Sequence, residues 1–191
     1  IIVQGAISKD FTRNVLLSIR RVFPDAEIIL STWENSDTDN LNYDLLVESK
    51  DPGAPILHPQ WNQKHNLNRQ IVSTKNGIKK ATRKYVLKTR TDIVFNNANF
   101  LKYFGKFQIR NENCKILKER VLICQHYARL AEILPFHISD WVMFGLKEDI
   151  EKIWDIELEP EPEYTEWFYN HELLPQHKDE RHEYNFFRHR Y

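Results

Sequence analysis

At 191 residues the chain has the size of one ordinary domain and can bury a substantial core. Its 27 Lys and Arg balance 27 Asp and Glu, and this zero net charge argues against a general binder of nucleic acid or of an anionic membrane surface. No apolar run reaches the roughly 18 residues a membrane-spanning helix needs, and Cys114 and Cys124 sit in no metal-ligand spacing, which fits a reducing compartment.

The first apolar run, Ile1–Ile2–Val3, ends at Gln4–Gly5 and reads as a buried strand entering a turn. Val15, Leu16, Ile19, Val22 and Phe23 then mark one face of a helix that Asp10 or Thr12 caps and Pro24 ends. Ala26–Leu30 is a second strand opening into the polar loop Ser31–Asn40, and Asp44–Val47 a third, closed by the turn Asp51–Pro52–Gly53. A proline-containing loop leads to about Lys64. From Asn66 to Arg83 a helix carries Leu67, Ile71, Ile78 and Ala81 on one face, and the strand Tyr85–Leu87 follows it. Beyond Asp92 the expected elements are a short helix over Phe100–Phe107, strands at Val121–Cys124 and Asp140–Gly145, and a helix from Lys147 to Asp155. The order predicts an α/β fold, Rossmann-like, with a mostly parallel or mixed sheet and helices on both faces.

One domain over 1–191 is expected: a ligand-binding half at 1–95, a second half at 96–156, and an irregular acidic part at 157–191. Ile1 already stands in a strand-like run, so the chain is expected to be a piece of a longer protein, with parts of its functional site outside it.

Charge is unevenly spread. From Pro52 to Thr91 there are nine Lys and Arg and no acid, whereas from Glu148 to Glu183 thirteen acids face three bases. The basic stretch reads either as a solvated helix face or as a surface for an anionic ligand. Five glycines form neither GxGxxG nor GxxxxGK[ST], and HExxH, paired CxxC and GxSxG are all absent. These absences count against dinucleotide, P-loop, zinc and simple hydrolase sites. Four histidines from His171 to His189 fit no ligand pattern and read as a solvated tail.

Polar groups at strand ends carry the chemistry that remains, because the carboxyl ends of strands in open α/β sheets bind ligands. They are Gln4–Gly5, Thr32–Trp33–Glu34, Asp51–Pro52–Gly53 and Arg90–Thr91–Asp92, predicted to meet on one rim. Trp33 is suited to covering a base or to packing; Glu34 or Asp51 would accept hydrogen bonds from base or ribose. Asn68 and Arg69 open a helix whose free N–H groups favour a phosphate, although Asn68 also reads as a plain cap. Lys88 and Arg90 would neutralise a diphosphate, and Asp92 would hold a divalent cation bridging it.

The blocks IIVQG at Ile1–Gly5, AEIILSTWE at Ala26–Glu34, Asp51–Gly53, NRQIVST at Asn68–Thr74, YVLKTRTD at Tyr85–Asp92 and SDWVMFGL at Ser139–Leu146 resemble the WavE family of lipopolysaccharide-synthesis proteins. The resemblance implies a glycosyltransferase of GT-A-like fold at the cytoplasmic face of the membrane. It would use a nucleotide-sugar donor and a lipopolysaccharide or polysaccharide acceptor, with no nucleic-acid partner. GT-A enzymes hold Mn²⁺ or Mg²⁺ with an Asp-x-Asp motif; here Arg90 stands where the first acid would be, so Arg90 itself could carry the charge and Asp92 orient it. The expected leaving-group residues are Arg69, Lys88 and Arg90, with catalytic Asp92 holding the metal or orienting Arg90 or the sugar; Asp140 is the expected base, with His137 second. Asp140 also reads as a turn or cap residue. The rival functions are a nucleotide- or glycan-binding module without turnover and a nucleotide-sugar hydrolase.

Overall fold

Among the described residues six strands form one mixed sheet, in the order Leu45–Ser49, Ile29–Trp33, Ile2–Gln4, Tyr85–Arg90, Met143–Leu146 and Leu122–Ile123. The computed structural model describes residues 1–58, 63–128, 137–163 and 165. Strands β1 (Ile2–Gln4), β2 (Ile29–Trp33), β3 (Leu45–Ser49) and β6 (Tyr85–Arg90) are mutually parallel. β8 (Met143–Leu146) runs antiparallel to β6, and β7 (Leu122–Ile123) antiparallel to β8. Every residue of β1 and β2 is buried, as central strands covered on both faces must be.

Alternation along these strands divides the core in two. Ile2, Ile29 and Val86 pack with Ile71 and Ile78 of α2 (Leu67–Lys80) and Ile150 and Trp154 of α3 (Lys147–Trp154). Val3, Leu30 and Leu87 pack on the opposite side with Val15, Leu16 and Ile19 of α1 (Lys9–Val22) and with Phe95. Helices therefore cover both faces, as the element order predicts.

Most boundaries moved by a few residues. The second strand lies at Ile29–Trp33 rather than Ala26–Leu30, because its polar residues Ser31 and Thr32 are buried in the sheet. β6 runs on to Arg90, since Lys88 to Arg90 pair with Ile2 to Gln4 of β1. The helix expected over Phe100–Phe107 is a short 3₁₀ segment, Asn99–Tyr103. A small antiparallel ladder, β4 (Ile56–His58) with β5 (Gln63–Lys64), occupies the loop before α2. Neither Asp10 nor Thr12 caps α1; Thr12 Oγ1 instead accepts from Ser8 N at 3.1 Å. Of the acidic part expected at 157–191 only its beginning is described, and the stretch from His171 lies outside the described residues.

Gly77 sets how closely α2 sits on the sheet. A Cβ there would lie 2.5 Å from Ile2 Cγ2 and 3.2 Å from Ser31 Cβ, both in fully buried residues. Gly77→Ala is therefore expected to destabilise by about 1–3 kcal/mol through overpacking, in spite of a helix-propensity gain of about 1 kcal/mol. Denaturant unfolding checks it; a variant as stable as the parent would mean that the helix shifts freely.

Candidate functional site

At the carboxyl ends of β1, β2 and β6 a cleft of about 510 Å³ opens beside the first turn of α2. Its wall holds Gln4, Gly5, Trp33, Arg69, Arg90 and Asp92, six of the residues expected from sequence. Ser8, Phe11, Asn66, Gln70 and Thr91 join them. Parallel strands ending together, with the β1–α1 loop peeling away, make this depression.

Gly5 has φ +127°, and a Cβ on it would lie 3.0 Å from Thr91 Oγ1. Glycine thus permits both the turn after β1 and the close approach of the loop after β6. Thr91 fastens that approach: its N donates to Gln4 O at 3.1 Å and its Oγ1 to Ala6 O at 2.8 Å. Ser73 of α2 donates to Gln4 Oε1 at 2.6 Å, so the Gln4 side chain is held by the helix.

Two arginines supply the positive charge of the wall. Arg90 donates through Nε and a terminal nitrogen to the two oxygens of Asp92, at 2.8 and 2.6 Å, and its guanidinium lies 5.3 Å from the centre of the Trp141 ring. Arg69 grips Asp51 in the same two-pronged way, at 2.7 and 2.5 Å. Each carboxylate holds its arginine's pKa above the usual range, and the Arg69 guanidinium holds the Asp51 carboxyl below its own. The first turn of α2 contains no acid, and Asn66 makes no side-chain cap there. Its N–H groups and helix dipole therefore favour an anion beside Arg69.

The other sequence candidates lie off the cleft wall. Thr32 is buried, its hydroxyl 3.3 Å from Ser36 Oγ, and Glu34 is exposed. Asp51 reaches the site only through Arg69. Asn68 neither caps α2 nor lines the cleft: its amide donates to Glu159 O at 2.9 Å and accepts from Glu159 N at 2.8 Å, tying down the chain beyond α3.

Lys88 is fully buried under the Trp154 ring, 4.7 Å from its centre, and its ammonium donates to the Asp140 carbonyl. Side-chain alternation explains this. Val86, Lys88 and Arg90 share the α2/α3 face of β6, α3 covers Lys88, and Arg90 alone emerges at the strand end. Asp140 stands beside Trp141, with one carboxylate oxygen, Oδ2, buried and without a hydrogen-bond partner among the described residues. His137 is half-buried three residues earlier.

Among the described residues no three His, Cys, Asp or Glu side chains gather as metal ligands. Asp92 is the one acid on the cleft wall among them, and Arg90 occupies both its oxygens. A divalent cation seeks several oxygen ligands, so this donor set does not fit one held by the protein alone.

Sequence reasoning missed two features. Asp149, read only as a helix residue, is buried and accepts from Lys118 N and Glu119 N, each at 2.8 Å, anchoring the loop before β7. His126, Tyr127 and Trp141 cluster with ring centres 4.5–5.2 Å apart. Only the exposed aromatic pair at 126–127 hinted at the second, and nothing in the sequence placed it next to Trp141.

Sheet and cleft together define the class: a Rossmann-like α/β protein with a cleft at the carboxyl ends of its parallel strands. The profile described as WavE lipopolysaccharide synthesis matches residues 1–188, and the chain belongs to that family. Its process is therefore lipopolysaccharide synthesis, with a polysaccharide-related partner. No curated protein matches the chain. Among the described residues no helix is long and apolar enough to cross a membrane.

Proposed function

We propose that the chain is a glycosyltransferase of GT-A-like fold. It moves a sugar from a nucleotide-sugar donor to a lipopolysaccharide core or surface-polysaccharide acceptor at the cytoplasmic face of the membrane. The observation that carries this reading is the meeting of Arg90, Arg69 and the open first turn of α2 on one cleft wall, an arrangement suited to a diphosphate. The antiparallel β8 beside the parallel set β3-β2-β1-β6 is in keeping with the fold.

The reaction breaks the bond between the anomeric carbon and the leaving phosphate oxygen and forms one to an acceptor hydroxyl oxygen. Arg90 neutralises the leaving diphosphate as charge develops on it, and Asp92 fixes the plane of that guanidinium. The acceptor proton passes to a carboxylate, for which Asp140 is the candidate: its carbonyl accepts from Lys88 of β6, and it precedes Trp141, whose ring lies against Arg90. Trp33, at the end of β2, is placed to cover the base. No step is assigned to Mn²⁺ or Mg²⁺, given the poor donor set around Asp92.

Thermal melting with UDP, GDP, ADP and CMP, each with and without Mn²⁺, tests the reading. A ligand at 100 times its dissociation constant stabilises by about 2.7 kcal/mol. The expected result is a shift with one nucleotide that Mn²⁺ leaves unchanged. A shift that grows with Mn²⁺ would assign Asp92 to a cation instead, and none with any nucleotide would overturn the donor. One observation favours a binding module without turnover: the Arg90–Asp92 pair closes the only wall acid among the described residues. Nucleotide binding with no sugar released or transferred would establish that module, and sugar released without acceptor would mark a hydrolase.

A further inference from the structure

Tyr127 adopts φ +63°, a left-handed conformation that a bulky side chain takes only under local constraint. A turn accounts for it: Ala128 N donates to Gln125 O at 3.1 Å, which puts Tyr127 at the third of four turn residues, the one that a type II turn holds left-handed. The turn holds the ring, 52% of the residue exposed, in contact with Trp141 and His126. The Trp141 ring also lies against the Arg90 guanidinium, its centre 5.3 Å away. Arg90 thus stands between two aromatic regions: Trp33 and Phe11 in the cleft on the β1–β2 side, and Tyr127 with Trp141 on the β7–β8 side.

We infer that Tyr127 and Trp141 form the shelf on which a pyranose ring of the acceptor stacks, with Asp140 beside it. The apolar C–H face of a pyranose fits an exposed aromatic ring, while its hydroxyl edge needs polar neighbours of the kind Asp140 and His126 supply. The inference rests on the donor reading above, because a diphosphate on Arg90 brings the anomeric carbon to the edge of this shelf. It assigns acceptor recognition to Tyr127, which does not touch Arg90's side of the cleft wall, and to Trp141, which also flanks Arg90.

Saturation-transfer NMR with methyl glucoside, methyl galactoside and a methyl heptoside tests the shelf on the folded chain. Transfer to at least one of them is expected in the parent. Tyr127→Gly should weaken that binding about tenfold and leave the chain folded, since glycine adopts this φ without steric strain, which offsets the entropy it adds to the unfolded chain. Tyr127→Phe should keep the binding, and Trp141→Ala should lose it. Absence of transfer to all three glycosides, or binding unchanged in both Tyr127→Gly and Trp141→Ala, would overturn the shelf. Nucleotide-induced melting shifts, measured on the same Tyr127→Gly protein, should match the parent. Should no nucleotide shift the parent while glycoside binding depends on Tyr127, the donor reading fails and the shelf stands as a saccharide site.

Discussion

Replacing Arg90 with alanine is expected to weaken binding of the nucleoside diphosphate about 10- to 100-fold, with the free nucleoside almost unaffected. The range follows from the roughly 1.5–3 kcal/mol that a hydrogen bond to a charged group contributes. Turnover should fall further, by about 10²–10³, because a donor aimed at developing charge acts mainly in the transition state. The structure gives a reason to expect the upper part of each range: without Arg90, Asp92 loses both its hydrogen-bond partners and faces the diphosphate as a bare carboxylate. Arg90→Lys keeps the charge but not the two-pronged grip on Asp92 or the stacking on Trp141, and should recover binding better than turnover. Isothermal titration with nucleoside and nucleoside diphosphate, together with rates of donor consumption, checks both statements. Equal losses for the two ligands would place Arg90 in a structural role.

The second large effect concerns stability at alkaline pH. Burial pushes the Lys88 ammonium down from 10.5 to about 8, only partly opposed by the charge of Asp140. Below pH 8 the folded and unfolded chains both carry this proton, and folding bears the whole cost of burying the charge. From about pH 8 to 10.5 the folded chain has released the proton while the unfolded chain still binds it, so stability rises with pH across that window. Lys88→Met removes the titration and keeps most of the volume beneath Trp154. The variant's stability advantage over the parent should therefore shrink by about 3 kcal/mol as pH rises through the window. Chemical unfolding of both proteins along a pH series measures it. Parallel curves would mean that the folded chain leaves Lys88 at its ordinary pKa, as it would if the ammonium reached water. The contrast with Arg90 is instructive, since two bases two residues apart on one strand face differ only in whether α3 covers them.

Much of the architecture was legible because it rests on local rules. Short apolar runs bounded by Gly5, Pro24 and Gly53 marked the strands and the first helix, and periodicity marked α2 and α3. The carboxyl-end rule brought Gln4, Gly5, Trp33, Arg90 and Asp92 to one place before any coordinates, because parallel strands must all point their ends the same way. Strand limits were harder: Ser31, Thr32 and Lys88 to Arg90 look like loop residues, yet they complete ladders that neighbouring strands impose.

Sequence by itself determined the class of fold, the family and the rim on which six of the candidate residues gather, since those follow from hydrophobic period, element order and motif. Tertiary structure alone decided the partners of each charge. It paired Arg90 with Asp92 and Arg69 with Asp51, spent Asn68 on Glu159, sank Lys88 beneath Trp154, and set Tyr127 against Trp141 at the far side of Arg90. The physical reason is that a side chain's role depends on what covers it, and the covering elements come from distant parts of the chain: α3 closes over β6, and the turn after β7 meets the entry to β8.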